Sequence, residues 1–181
     1  ALFSEKYPDV AVSVEYGNHE ELYAMLRSEQ VDLVLNDQRR AFSDEYVNLL
    51  LTTCTAYVEV SAFSPLSKRK EISPEELKNY PCILIASSSQ RGTEQEYYQT
   101  VVGIRSEMIY AENFEEARLM VAGRKGFLPV EGVASAPTAG ISIVRIPLMR
   151  GNEPIRRNYC AFWKKENSGY LVEAFADILK A

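Results

Sequence analysis

The sequence contains a single histidine, His19, and this scarcity limits the catalytic sites that it can form. A Ser–His–Asp or Cys–His site would have to use His19, which falls in the first turn of a predicted helix beside two glutamates. We expect it to be an exposed helix residue. Because no Cys/His spacing suits zinc and no glycine-rich segment fits a P-loop or a dinucleotide fingerprint, we predict no catalytic residue, no metal site and no cofactor. The protein is therefore not expected to be an enzyme.

Cysteine is also scarce, with Cys54, Cys82 and Cys160 spread along the chain. An odd number of cysteines without short spacing argues against a disulfide framework and favours a reducing compartment. The sequence has no apolar run of membrane length and no signal peptide. We therefore expect a cytoplasmic location and no membrane contact.

Positive charge is in short supply, with a net charge of −5 and a pI near 5.1. A surface of that sign does not gather phosphates, so the chain is not expected to bind nucleic acid by itself. Its 181 residues suffice for one large domain or two small lobes.

Apolar runs alternate with helix-start signals along most of the chain. Residues 10–16 alternate apolar and polar side chains, which predicts a strand covered on one face. Residues 31–35, 82–86 and 159–163 are nearly continuous apolar runs, typical of strands covered on both faces. Strands joined by helices indicate βαβ units and a largely parallel sheet.

Four capping pairs mark predicted helix starts, each with a cap residue and a glutamate three positions later. They are Asn18 with Glu21, Ser73 with Glu76, Thr93 with Glu96, and Asn113 with Glu116. A last helix is predicted to start at Ser168.

The polar segment at residues 87–93, Ser-Ser-Ser-Gln-Arg-Gly-Thr, lies between a buried strand and a capped helix. In an open α/β sheet, ligands bind beyond the carboxyl ends of the strands. Free backbone N–H groups and hydroxyls at this place suit a carboxylate or another small anion. The alternative is a polar turn that merely caps its helix.

The order of motifs resembles the effector-binding domain of LysR-type transcriptional regulators, over nearly all of the chain. Phe3–Val10 is similar to the family's F...YP.V segment, and Gly17 precedes a helix as in the family. Val31–Leu35 resembles the DLA(I/V) strand, and 65–77 resembles the hPL......is..dL stretch. Val121–Pro129 is similar to VaaG.Gi..lP, although it is shorter than usual and has Arg124-Lys125 where a glycine is usual.

This resemblance implies an α/β fold like that of type 2 periplasmic binding proteins. Two lobes of mainly parallel sheet flanked by helices would be joined by two crossover strands. Lobe I would comprise residues 1–56 with 157–181, and lobe II residues 57–156. The family's domain normally begins with a further strand and a polar loop, and its winged helix-turn-helix binds DNA. We expect these parts to lie outside the 181 residues.

The resemblance also places the ligand-binding loops of both lobes at a cleft between them. The implied ligand-binding residues are Asn36, Asp37 and Arg39 in lobe I, and Ser87, Ser88, Ser89, Thr93, Asn113, Gly126 and Phe127 in lobe II. Arg39 would be a counter-charge for an anion, and the alternative is an ordinary exposed arginine.

The function implied by the resemblance is effector sensing. A small-molecule effector, such as a carboxylate, would bind in the cleft, and lobe movement would reach the DNA-binding domain. The partners implied are a second copy, in a homodimer or tetramer formed through helices 18–28 and 113–123, and DNA through the N-terminal domain alone. The alternative is an exported solute-binding protein of a transporter, which shares this fold.

Overall fold

The computed structural model describes residues 2–39, 43–132 and 142–180. The chain falls into two units, Ala1–Thr53 with Arg157–Ala181 and Cys54–Arg156. Among the described helices, none combines the length and the apolar character needed to cross a membrane.

The helices and strands alternate along most of the chain. The helices are α1 (Leu2–Lys6), α2 (His19–Arg27), α3 (Pro74–Leu77), α4 (Arg91–Glu96, continued by a π-helical segment over Tyr97–Val102), α5 (Phe114–Ala122) and α6 (Tyr170–Lys180). The strands are β1 (Val34–Asp37), β2 (Tyr46–Ser61), β3 (Cys82–Ile85), β4 (Met108–Ala111), β5 (Leu128–Gly132), β6 (Ile143–Pro147), β7 (Met149–Arg150), β8 (Glu153–Pro154) and β9 (Arg156–Lys164). Short 3₁₀ turns cover Pro65–Lys68 and Lys165–Asn167.

In the first unit, β9 lies between β1 and β2. Strands β1 and β9 are antiparallel, with Val34 opposite Phe162 and Asp37 opposite Tyr159. Leu26 from α2 packs against Val34 and Phe162, and each of these three side chains is at most 5% exposed. The apolar side of α2 thus covers this part of the sheet.

Residues 10–16 do not form the strand that their alternating pattern predicts. Within the described chain they have no strand partner, and Val14 and Tyr16 are 66% and 86% exposed. They line a cavity of about 850 Å³ together with Leu35 and the face of α6 that carries Phe175. An alternating pattern reports which side chains a strand could bury, whereas pairing also needs a free backbone edge beside it. The additional strand implied by the family resemblance stays a prediction.

In the second unit, β3 and β4 are the expected parallel pair, with Cys82 opposite Met108 and Ile85 opposite Ala111. Phe127 joins the first residue of β3, Cys82, through a parallel bridge. By contrast, β5 and β6 each pair with β2 in the antiparallel sense, as β1 does with β9. The five-stranded sheet therefore contains more antiparallel strand pairs than the sequence pattern predicts. A buried apolar run indicates that a strand is buried but not in which direction it runs.

Gly126 allows the chain to pass very close to the segment before β3. A Cβ atom at this position would lie 2.3 Å from the Pro81 carbonyl oxygen, and the next backbone N–H, from Phe127, donates to that oxygen at 2.9 Å. Because real Cβ contacts do not approach backbone so closely, glycine is required for this strand to join β3. Phe127 then enters the core at 1% exposure.

Three of the four predicted capping pairs are confirmed, and one is wrong. Asn18 and Glu21 make both reciprocal hydrogen bonds, Glu76 accepts the Ser73 N–H, and Asn113 accepts the Glu116 N–H. Helix α4 instead starts at Arg91 with Gln90 as its N-cap, because the Ser87 carbonyl already accepts the N–H groups of Gln90 and Arg91. Thr93 therefore lies within the first turn, and α6 similarly starts at Tyr170 rather than Ser168.

Candidate functional site

The serine segment, Ser87–Ser89, is exposed and is separated from the end of β3 by one residue, Ala86. The Ser87 hydroxyl lies 3.2 Å from that of Ser89 and donates to Gln90 Oε1 at 3.3 Å. These hydroxyls lie beyond the carboxyl end of β3, the edge at which open α/β sheets bind ligands. The segment therefore presents a cluster of hydrogen-bonding groups to solvent.

Arg91 brings a positive charge to the same edge. Its guanidinium lies 4.7 Å from the centre of the Tyr110 ring, and its Nη2 is 3.7 Å from Glu112 Oε1, a long ion pair. The Nε atom is buried, and no described residue accepts its hydrogen. The Tyr110 hydroxyl is fixed in turn by donating to Gln95 Oε1 at 2.9 Å. Sequence reasoning did not select Arg91, although its place within the polar segment was an available signal.

Thr93 and Asn113 lie at the same end of the parallel pair. Thr93 is half-buried in the first turn of α4, and Asn113 is the N-cap of α5. The Asn113 Oδ1 atom accepts the Glu116 N–H at 2.9 Å, so this side chain acts first as a helix cap. The structure thus brings Ser87–Ser89, Thr93 and Asn113 to the carboxyl edge of β3 and β4.

The structure does not bring Gly126 and Phe127 to that edge. Phe127 is in register with Cys82, three residues before Ile85 at the far end of β3. At roughly 3.3 Å per residue this separation is about 10 Å along the strand. Gly126 and Phe127 therefore lie at the amino end of the parallel strands. Their position along the strands depends on the strand register, which the sequence motif does not specify.

In the first unit, Asp37 is the centre of an ion cluster at the end of β1. Its carboxylate is 2.8 Å from His19 Nε2, 2.9 Å from Arg39 Nε and 3.0 Å from Arg157 Nε. The residue is only 2% exposed. Arg39 Nε donates a hydrogen bond to this buried carboxylate and Arg157 forms an ion pair with it, so the predicted ligand-binding residues Asp37 and Arg39 already bind each other.

Burial raises the energy of the Asp37 carboxylate, but the hydrogen bonds from His19, Arg157 and Arg39 outweigh this cost. They hold the pKa of Asp37 well below its usual range. The group is therefore a fixed negative charge, with no proton to exchange near neutral pH.

The expectation that His19 is simply an exposed helix residue is wrong. Its side chain is 15% exposed, and its Nδ1 lies 3.0 Å from the Asn36 amide nitrogen. Asn36 Oδ1 accepts the Asp37 backbone N–H at 2.9 Å, so Asn36 uses both ends of its amide within the protein. The start of α2 and the end of β1 meet only in the folded chain, so the sequence pattern gave no sign of this contact.

A second buried carboxylate, Glu59, lies on β2 in the second unit. Its side chain is fully buried and receives Arg118 Nη2 at 2.7 Å and Arg145 Nη2 at 2.8 Å on the same oxygen. Arg118 Nε binds the other oxygen at 3.1 Å. Burial opposes the charge of Glu59, yet the hydrogen bonds from Arg118 and Arg145 lower its pKa overall. This cluster joins α5 and β6 to β2.

The described residues contain no group of three or more histidine, cysteine or acidic side chains placed to hold a metal ion. Burial raises the pKa of the Cys82 and Cys160 thiols, which disfavours the reactive thiolate form at these two positions.

Comparison with known proteins connects this architecture to a family. The model of the LysR substrate binding domain matches residues 1–181. The HTH-type transcriptional regulator CysB of Haemophilus influenzae is 29% identical over 108 residues, which cover 60% of this chain and 33% of that protein. The HTH-type transcriptional activator CmpR of Synechocystis is 24% identical over 188 residues, covering 99% of this chain and 59% of that protein. The chain thus spans less than two thirds of either relative.

Among solved structures, the C-terminal domain of a probable LysR family transcriptional regulator from Rhodococcus sp. RHA1 has a TM-score of 0.70 and 19% identity. The match covers 99% of this chain and 89% of that chain. This likeness shows the fold, which is the α/β fold of type 2 periplasmic-binding-protein-like domains. The chain belongs to the LysR substrate binding domain family.

Proposed function

We propose that this chain senses a small anionic effector for a LysR-type transcriptional regulator. The family match over residues 1–181 supports this function, and the relatives named as transcriptional regulators favour it over a solute-binding protein of a transporter. The regulator would act in the cytoplasm and contact DNA through a domain outside these residues. Sensing, rather than catalysis, is the activity that we propose.

The serine segment beside Arg91 is the observation that carries the proposed site. The exposed hydroxyls can donate hydrogen bonds to a carboxylate. The Arg91 guanidinium, which packs against the Tyr110 ring, supplies the opposite charge. The buried Arg91 N–H that no described residue accepts would gain an acceptor from such an anion. Asn36, Asp37 and Arg39 of the first unit stay predicted contacts.

A ligand acts on such a domain through linkage. It shifts the equilibrium between two conformations only by its difference in affinity for them. The change would then reach the DNA-binding domain through contacts between copies of the protein.

We expect Ser88→Ala and Thr93→Ala to weaken effector binding about three- to tenfold each without unfolding the domain, because each removes one hydrogen bond to the ligand. A thermal-shift screen of small carboxylates, amino acids and aromatic acids identifies the probe, since a specific binder raises Tm by mass action. Calorimetric titration of that probe then gives Kd for each variant.

Ser4→Ala is the matched control, because Ser4 is an exposed serine in the first unit, on α1. It should leave Kd unchanged. If Ser88→Ala and Thr93→Ala bind the probe as tightly as the unaltered protein does, the serine segment is not the effector site.

We further propose that the chain associates with a second copy through α2 and α5. On α5, Leu119 is 74% exposed and Phe114 is 43% exposed, which is an unusual position for two large apolar side chains of one helix. Such residues are typical of the apolar centre of an interface.

Leu119→Glu should shift the chain towards the monomer, with at least a tenfold increase in the dimer dissociation constant, because it buries a charge in the interface. Light scattering across a dilution series measures this constant. Leu2→Glu is the control, since Leu2 is 66% exposed but lies on α1. Equal effects of the two changes would exclude α5 as the dimer helix.

A further inference from the structure

A second cavity, which we call the amino-end cavity, lies within the second unit and is lined by Gly126 and Phe127 among others. Its volume is about 390 Å³, within the range of small-molecule sites. Phe127 is in register with Cys82, the first residue of β3. The amino-end cavity therefore lies at the opposite end of β3 from the serine segment.

Two aromatic rings contribute to its apolar lining. Phe63 is 76% exposed although it is a large apolar side chain, and Tyr80 is half-buried. Pro65 and Pro81 complete the rigid apolar part of the wall. Rings with accessible faces of this kind stack against a planar apolar ligand.

Two serines, Ser61 and Ser64, also line the cavity. Ser61 is 2% exposed, and its Oγ accepts the Phe63 N–H at 3.2 Å. Ser64 Oγ accepts the Leu66 N–H at 3.3 Å. A hydroxyl that accepts a hydrogen bond keeps its own hydrogen. Both serines line the cavity, and no described residue accepts the hydrogen of either hydroxyl.

Arg124 adds a cation to the lining of the cavity. Its guanidinium makes no ion pair with any described residue. Its backbone φ is +58°, a left-handed conformation that glycine adopts freely and that is sterically costly for a long side chain such as arginine. An arginine at such a position is less favourable for folding than a glycine, which points to a role for its side chain.

We propose that the amino-end cavity binds a small carboxylate with an aromatic ring. The Arg124 guanidinium would bind the carboxylate, Ser61 and Ser64 would donate to it, and Phe63 and Tyr80 would contact the ring. This site is independent of the proposed effector site, because the two share no residue. The second unit would then carry ligand sites at both ends of its parallel strands.

Phenylacetate is a suitable probe, and amide chemical shifts in a ¹H–¹⁵N spectrum would locate it. We expect the largest shift changes at residues 61–64, 66, 80 and 124–127, since Pro65 and Pro81 carry no amide proton. Phenylacetamide, which keeps the ring but lacks the charge, should bind at least about tenfold more weakly. Largest changes at residues 87–93 instead, or equal binding of the amide, would overturn the proposal.

Arg124→Gly separates binding from folding. It should raise the Kd of phenylacetate about ten- to a hundredfold, because it removes a charge-assisted hydrogen bond. The Tm should stay the same or rise, because glycine adopts a positive φ freely. Lys125→Ala is the matched control: it removes a neighbouring cation that does not line the cavity, and it should change Kd less than about twofold.

Equal losses for Arg124→Gly and Lys125→Ala would show a general charge effect and overturn the site. Ser88→Ala should leave phenylacetate binding at residues 61–66 unchanged. The proposed effector site and the proposed ligand site in the amino-end cavity can therefore be tested independently.

Discussion

Replacing Glu59 with glutamine should lower the free energy of unfolding by about 3 to 5 kcal/mol, because it leaves two largely buried guanidiniums without their shared anion. Glu59 is fully buried, and the Arg118 and Arg145 side chains are 23% and 15% exposed. Glutamine keeps the shape of the side chain, so the loss reports the charge and not a cavity. Urea unfolding followed by circular dichroism measures the difference.

The loss at Glu59 should depend on pH in a defined direction. Its pKa is lowered in the folded state, so its contribution is complete above the unfolded value of about 4.3 and is lost as the pH falls through the folded value. The gap between the original protein and Glu59→Gln should therefore be constant from pH 6 to 8 and narrow below about pH 4.

Glu29→Gln provides the matched control, because Glu29 forms an exposed ion pair with Lys164 at 3.2 Å. Exposed pairs contribute at most about 1 kcal/mol. If the two substitutions cost the same free energy, the buried cluster does not stabilise the second unit.

Asp37→Asn should have an effect of similar size in the first unit, about 3 to 5 kcal/mol. The carboxylate that receives His19, Arg39 and Arg157 would be replaced by an amide, whose nitrogen is itself a donor. The amide would keep one acceptor oxygen, but its NH₂ group would face donor groups of the surrounding side chains in a nearly closed site. Urea unfolding in a tryptophan-fluorescence assay suits this unit, since Trp163 lies in its core.

The pH dependence again has a definite sign. The folded pKa of Asp37 is depressed, so the stability that it contributes is present above its unfolded value of about 3.9 and disappears as the pH falls through the folded value. The difference between the original protein and Asp37→Asn should persist from pH 8 down to about pH 4.

Asp32→Asn is the control here, since Asp32 is exposed and accepts a single hydrogen bond from Asn167 at 3.0 Å. It should cost less than about 1 kcal/mol. An equally small loss for Asp37→Asn would mean that the cluster contributes no net stability. It would also leave Asp37 available for the ligand contact predicted from the sequence.

The sequence alone determined the features that depend on neighbours along the chain. The capping pairs at Asn18, Ser73 and Asn113 join residues three positions apart, so their hydrogen bonds follow from local spacing. The sequence likewise predicted the buried strands β3 and β9 and the polar segment after β3. A strand that is buried on both faces excludes polar side chains, so it appears in the sequence as a continuous apolar run. The ordered motifs predicted the family that the comparison then showed.

Only the tertiary structure decided the features that join distant parts of the chain. Glu59 meets Arg118 and Arg145 across 59 and 86 positions, and His19 meets Asp37 between a helix start and a strand end. The parallel register likewise placed Phe127 at the opposite end of β3 from the serine segment. Composition and periodicity predict whether a residue is buried and in which kind of element it lies. Strand direction and charge partners depend on which distant segments of the chain come together on folding.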